Sequence, residues 1–356
     1  RLKSMTNPLL HAHILPPFAQ IKPEHVEPAV DQLLADNRQV VDTLVQDVTD
    51  PTWDNLVAPL EQINDVLAKA WSPVSHMNSV VNSDELREAY NACLPKLSQF
   101  WTELGQNQGL YQLHQQYADS EEFKTLNTEQ KTAIEHTLRD FKLSGIALAE
   151  DQQQRYGELQ QRLSELTTKF SENVLDASNA WSKLIQDESE LKGLPEMAIA
   201  AAKQVAEAKG EEGWMLTLDF PSYIPVMTYA DSRALREEVY TAFATRASDQ
   251  GPNAGEWDNS EIMQEILQLR QEKAKLLGFE NYAEYSLATK MAEEPDQVIG
   301  FLRDLAAKSH PEAEREFQEL CDFARDEYGM EQLQAWDVTY YGEKLKHARY
   351  EISQEM

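Results

Sequence analysis

The sequence predicts a mainly α fold: a layered bundle of many helices carrying one small β-hairpin. Three observations predict it. Apolar residues recur at steps of three and four along nearly the whole chain, the spacing that gathers side chains on one face of a helix. Connections between these runs are short, so consecutive helices are expected to pack as antiparallel neighbours. One stretch alone, residues 214–229, consists of two β-branched and aromatic runs broken by Pro221-Ser222-Tyr223, and this predicts the hairpin.

Taken in order, Arg1 to Ser4 precede Met5-Thr6-Asn7-Pro8, which reads as a native start, so residues 1–4 are expected to be a cloning remnant. Pro8, Pro16, Pro17 and Pro23 rule out a continuous helix over 7–23, leaving an extended strap. Val26, Val30, Leu33, Leu34, Val41, Leu44 and Val45 predict a first helix over 24–48. A second follows Pro51-Thr52-Trp53 through Leu56, Leu60, Ile63 and Leu67, and Pro73 is expected to break it. Asn82-Ser83-Asp84 can cap a third from Glu85 to near Leu104, stopped between Gly105 and Gly109. Asn127 can cap the next, with Ala133, Ile134, Leu138 and Phe141 inward and Gly145 at its end.

The longest stripe starts at Glu150 or Asp151 and runs through Tyr156, Leu159, Leu163, Leu166, Phe170, Val174, Ala177 and Trp181, about 45 Å of helix. A hairpin with the preceding helix is favoured over a coiled-coil dimer, because the connection is short. Pro195 opens a short alanine-rich helix that Gly210 ends. Asp231 and Asn259 can cap two amphipathic helices carrying Leu235, Val239, Phe243 and Ile262, Ile266, Leu269, the second ended by Gly278. Pro295 begins the last stripe, Val298, Phe301, Leu302 and Leu305, which His310-Pro311 should kink or interrupt before Ala313, Phe317, Leu320, Ala324 and Tyr328 lead to Gly329. These runs divide the chain into a helical domain over 5–150, a long helix with its connecting helix over 151–212, and a third part over 213–356.

A length of 356 residues exceeds what one core usually fills, so two lobes or one elongated helical body are expected. The net charge of -29 is distributed as -10 over residues 1–150 and -19 beyond them. Such a surface repels phosphate backbones, and no basic patch offsets it, which argues against nucleic acid as a partner. No apolar run approaches the ~18 residues of a membrane span, and the opening lacks the apolar core of a signal peptide. Cys93 and Cys321, far apart and outside any C-x-x-C, fit a reducing cytosol rather than a disulfide scaffold or zinc ribbon.

Side chains able to do chemistry are weighed against plainer roles. His11, His13 and His25 lack an acidic or thiol partner at ligand spacing, so no metal site is assigned to them. The adjacent pairs Glu211-Glu212, Glu237-Glu238 and Glu293-Glu294 read as solvated surface rather than acid and base, since nothing nearby would tune them. Phe220, Tyr223, Tyr229, Tyr282, Tyr285, Tyr340 and Tyr341 cluster around turns and helix starts; packing is the default for each, with peptide contact as the alternative. The 214–229 hairpin has the best claim to binding, because an open edge there would accept an extended peptide as a strand. Serine-hydrolase, Walker and dinucleotide patterns are missing from the sequence.

Long runs carry a resemblance: residues 216–259, LTLDFPSYIPVMTYADSRALREEVYTAFATRASDQGPNAGEWDN; 276–292, LLGFENYAEYSLATKMA; 336–346, WDVTYYGEKLK; and earlier 7–10, 71–90 and 125–148. On these the chain resembles the thimet oligopeptidase and neurolysin family of zinc metallopeptidases, and within it the bacterial oligopeptidase branch more than the dipeptidyl carboxypeptidase branch. The resemblance implies a neurolysin-like amino-terminal lobe, followed from 213 by the opening of the catalytic module. It implies two helical lobes flanking a deep channel that admits short peptides, with zinc on its floor, where the metal polarises the scissile carbonyl and activates water.

The family's H-E-x-x-H helix is not in this sequence: no two of its eight histidines stand four apart. The chain is therefore expected to be an amino-terminal part that is itself inactive and zinc-free, with catalytic and metal residues assigned to none of its positions and substrate-binding residues left open. The full-length parent is expected to use zinc, to act on short peptides including signal-peptide fragments in the bacterial cytosol, and to join this part to its missing carboxy-terminal catalytic part. The alternatives are a dipeptidyl carboxypeptidase of the same family or a stand-alone helical interaction module without activity.

Overall fold

The computed structural model describes residues 7–352, so the expectation for residues 1–4 lies outside the described residues. The proline-bearing strap forms two short 3-10 turns, Pro8–Leu10 and Phe18–Gln20, and is tied down where the Asn7 amide donates to the His25 carbonyl at 2.7 Å. Then come α1 (Pro23–Asp47), α2 (Ala58–Val80), α3 (Asp84–Gly105), α4 (Gln108–Ala118), α5 (Glu121–Thr125), α6 (Thr128–Leu143) and α7 (Glu150–Ala180). The strand β1 (Ser182–Ile185), α8 (Glu196–Ala208), β2 (Trp214–Thr217), α9 (Phe220–Tyr229) and α10 (Arg233–Ala244) follow. The described residues end with α11 (Ser260–Leu276), α12 (Tyr282–Leu287), α13 (Pro295–Tyr328) and α14 (Ala335–Tyr350).

Side-chain caps explain several helix starts. Ser83, Asn107, Ser120 and Asn127 each accept the N–H three residues on, satisfying a donor that the first helical turn leaves free. Asn107 and Ser120 thereby start α4 and α5, two helices the apolar spacing did not reveal. At α10 the cap is Ser232, whose hydroxyl accepts from Leu235 N–H at 3.3 Å, rather than Asp231.

The expected 214–229 hairpin is corrected. Only its first run is a strand, and β2 pairs antiparallel with β1, Ser182 opposite Thr217 and Ile185 opposite Trp214. The second run is α9. Pro221 stands in the first helical turn, where a missing N–H costs nothing, and Tyr223 N–H already reaches Asp219 O at 2.8 Å. An open hairpin edge for strand addition is thereby withdrawn. Gly213 is needed at the entry to β2, because its φ is +121° and a Cβ there would lie 2.3 Å from the Ile185 carbonyl oxygen.

Pro73 and Pro311 do not break their helices either: α2 and α13 run through them. An interior proline costs a helix about 3 kcal/mol. In α2 the burial of Leu67, Ala70 and Val74 around Pro73 offsets that cost.

The chain divides into two compact units, one running to Thr168 and including Ile266–Tyr282, the other holding Lys169–Glu265 and the chain from Ala283 on. In the first, α1, α2 and α3 enclose Val26, Val30, Val74, Cys93 and Phe100, while α1, α4 and α6 enclose Leu44, Leu56, Leu110, Tyr117 and Ile134. The early part of α7 buries Tyr156, Leu159 and Leu166. It is pinned to α11 by a two-pronged ion pair, Arg155 Nε to Glu272 Oε1 at 2.7 Å and Nη2 to Oε2 at 3.0 Å. In the second unit α8, α9 and α10 cover the two-stranded sheet around Ile185, Leu216, Val226, Leu235 and Val239. There α14 packs on α9 and on the end of α13. Within α13, residues 299–318 are all exposed.

Candidate functional site

The open surface richest in chemistry is a groove in the first unit, about 520 Å³ in volume. Helical spacing builds each wall. Tyr90, Leu94, Leu97 and Trp101 form one stripe of α3, with Trp71 of α2 beside it, and Gln160, Leu163, Ser164 and Thr167 form the facing stripe of α7. Arg270 and Lys273, one turn apart on α11, and Tyr282 at the start of α12 complete it.

Trp71 and Tyr90 stack at 4.8 Å between centroids and 13° between planes, while Trp101 is 45% exposed. Lys273 is only 7% exposed; its ammonium donates to Gln160 Oε1 at 2.7 Å and lies 5.3 Å from the centre of the Tyr156 ring. Burial, and then the charge of Arg270, pushes its amine down to about 8. Arg270 itself is half-buried, its guanidinium 5.0 Å from the centre of the Tyr282 ring. No aspartate or glutamate is among the groove's lining residues. Chemically this is an aromatic cleft with a cationic floor, suited to holding an anion joined to an apolar group.

The second unit contains a buried polar centre. Asp337, fully buried, accepts from Arg233 Nη2 at 2.7 Å, Arg236 Nη2 at 2.8 Å and Gln334 N–H at 3.0 Å. Burial alone would raise its pKa, but the hydrogen bonds from Arg233, Gln334 and Arg236 outweigh it and hold the carboxyl below the usual range. Arg236 is 1% exposed, also donates to Ala230 O at 2.7 Å, and stacks on Tyr340 at 3.9 Å. The Tyr340 hydroxyl donates to Asp231 at 2.8 Å, and burial raises its pKa. The arrangement joins α14 to α10 and to the loop that precedes it.

The sequence candidates are scattered. Tyr340 and Tyr341 are buried around that centre, Tyr223 stacks on Phe243 at 3.9 Å, and Tyr229 packs beside the sheet core. Phe220 is exposed and Tyr285 half-buried; among the aromatics weighed, Tyr282 alone lines the groove. Glu211-Glu212, Glu237-Glu238 and Glu293-Glu294 are exposed, with Glu238 accepting from Lys183 at 2.7 Å. His11 and His13 are exposed, whereas His25 is buried and its Nδ1 accepts from Lys22 N–H at 3.1 Å. Among the described residues no group of three or more His, Cys, Asp or Glu side chains can hold a metal ion. They do not fit the zinc that the resemblance implies. Trp71, Trp101, Arg270 and Lys273 were not anticipated as site residues. The pair of cations at i and i+3 was no distinctive signal, since Arg139 and Lys142 share the spacing without lining the groove.

The architecture is a mainly helical one with a single two-stranded sheet among the described residues, and on two family models the chain belongs to the thimet oligopeptidase and neurolysin family. Residues 226–356 match the model of peptidase family M3, and residues 30–153 match that of the neurolysin/thimet oligopeptidase N-terminal domain. Among curated proteins it is similar to oligopeptidase A of Salmonella typhimurium, 58% identical, and of Haemophilus influenzae, 56% identical, each over 99% of this chain and 52% of the relative. Dipeptidyl carboxypeptidase of Salmonella typhimurium is more distant, 27% identical over 98% of this chain. The chain spans about half the length of the curated relatives it matches.

Proposed function

We propose that this chain is the amino-terminal part of a zinc-dependent oligopeptidase that hydrolyses short peptides in the bacterial cytosol, fragments of cleaved signal sequences included. The observation that carries the reading is the 58% identity to an oligopeptidase A along 99% of the chain, against 27% to a dipeptidyl carboxypeptidase. In this reading residues 5–150 are the amino-terminal helical domain, residues 151–212 connect it onward, and residues 213–356 open the catalytic module. The ligands for zinc and the glutamate that activates water come from the carboxy-terminal part of the same polypeptide. The uncovered side chains of α13, with Phe301 66% and Leu302 54% exposed, support a further packing partner of that kind.

The test is an assay of the full gene product on internally quenched peptides with and without a chelator, alongside the 356-residue chain. The full product is expected to cleave internally and to lose activity with the chelator, while the 356-residue chain cleaves nothing and binds no stoichiometric zinc. Chelator-resistant cleavage, or hydrolysis by the shorter chain, would overturn the proposal. Release of carboxy-terminal dipeptides alone would move it to the dipeptidyl carboxypeptidase branch.

A further inference from the structure

We infer that the groove of the first unit is a binding site for the carboxy-terminal end of a short peptide, its free carboxylate held by Arg270 and its terminal apolar side chain seated against Trp101. The choice of a peptide rests on the function proposed above; the rest follows from the groove.

Charge is the first argument. The chain has 61 acidic against 32 basic side chains, so an average surface cleft in it would be acidic. This one is lined by Arg270 and Lys273 and by no carboxylate. The second argument is the state of Arg270. Among the described residues it makes no ion pair; its one close partner is the face of the Tyr282 ring, which leaves the edge of the guanidinium fork free to donate. Arg155 in the same unit shows the contrast, both of its prongs being taken by Glu272. A planar fork beside an opening donates two parallel hydrogen bonds to a carboxylate, a geometry a lysine cannot offer. Stacking on Tyr282 fixes that fork in advance and lowers the entropy lost on binding.

The third argument is what surrounds the fork. Trp101 is 45% exposed, although a tryptophan is among the costliest side chains to leave in water. The stacked Trp71–Tyr90 pair extends the same wall. A volume near 520 Å³ lies within the range of small-ligand clefts, about 300–1,000 Å³. Its open side lets the rest of a peptide leave the groove. A free carboxylate with an adjoining aromatic or branched side chain satisfies both halves of the surface, whereas an amidated end would leave Arg270 without its counter-charge.

The experiment uses fluorescently labelled pentapeptides ending in Leu or Phe, prepared as free acids and as carboxamides. Each is titrated into the 356-residue chain at fixed salt and read by anisotropy. The acids are expected to bind at least tenfold more tightly than the amides. Arg270→Gln should remove most of the acids' advantage, leaving only what the Lys273 charge supplies, with the amides unchanged, and Trp101→Ala should weaken both forms alike. Arg270→Lys, keeping the charge without the fork, should retain a reduced preference, and it decides the matter should the glutamine variant melt early. Equal binding of acid and amide by the unaltered chain, or a preference undiminished by Arg270→Gln, overturns the site. Cleavage is not read here, so the two proposals fail separately. A full product that cleaves peptides while the acid preference is missing sinks only the groove; a preference without cleavage by the full product sinks only the peptidase reading.

Discussion

Arg236 and Asp337 set the terms at the scale of single residues, because both are removed from water and each needs the other. Among the described residues Asp337 is the one carboxylate paired with the Arg236 guanidinium. Asp337→Asn therefore leaves a buried charge uncompensated and is expected to cost about 3–5 kcal/mol in chemical denaturation. Arg233, whose side chain is 42% exposed, shares the same carboxylate, yet Arg233→Ala should cost only about 1 kcal/mol or less, since water screens that pair. The Asp337 carboxyl titrates below its unfolded value, so its stabilisation is present above the ordinary carboxylate range and is lost as pH falls through the depressed value.

At Lys273 the charged form destabilises instead, although stability again rises with pH because the folded pKa is again depressed. Its amine is at about 8 in the folded chain against 10.5 for the free side chain. Below pH 8 both states are protonated and the folded one bears the full cost of a buried charge; between 8 and 10.5 the folded state has released its proton, and the cost fades. Lys273→Met is thus expected to stabilise the chain by about 1–3 kcal/mol at pH 7, with the advantage shrinking as pH rises from 8 to 10. Equal stabilisation at both ends of that range would show that the amine is not buried as a charge.

Among the described elements, α13 has the longest exposed run, residues 299–318. A helix held by backbone bonds alone is marginal in water, so residues 299–318 should exchange their amide hydrogens much faster than buried α10. Pro311 sits inside this stretch. Pro311→Ala restores a helical hydrogen bond and should slow exchange on both sides of the site, by up to about 3 kcal/mol of opening free energy. The starts of α3, α6, α8 and α13 were legible because caps and prolines act within one turn, and α7 was legible because its stripe is long. The 214–229 stretch misled, since aromatic and β-branched residues serve a strand or a buried helix equally well. Only the pairing of β2 with β1, more than twenty-five residues upstream, settles which run extends.

For the whole molecule, a net charge of -29 means that folding draws like charges together. Raising salt from about 10 to 150 mM shortens the Debye length from about 30 to 8 Å, so the melting temperature should rise by several degrees. An unchanged melting temperature would mean that local ion pairs such as Arg155–Glu272 and Lys96–Glu27 already neutralise the repulsion.

The helical class, the starts of the capped and proline-opened helices and the family were determined by the sequence alone, because spacing, caps and long matching runs are properties of neighbouring residues. The groove was decided by tertiary structure. Its walls come from residues 71–101, 160–168 and 270–282, and nothing within any one stretch shows that the other two will face it. Whether a lysine is a solvated surface charge or the floor of a cleft depends on which distant helices exclude water from it, and that is a property of packing.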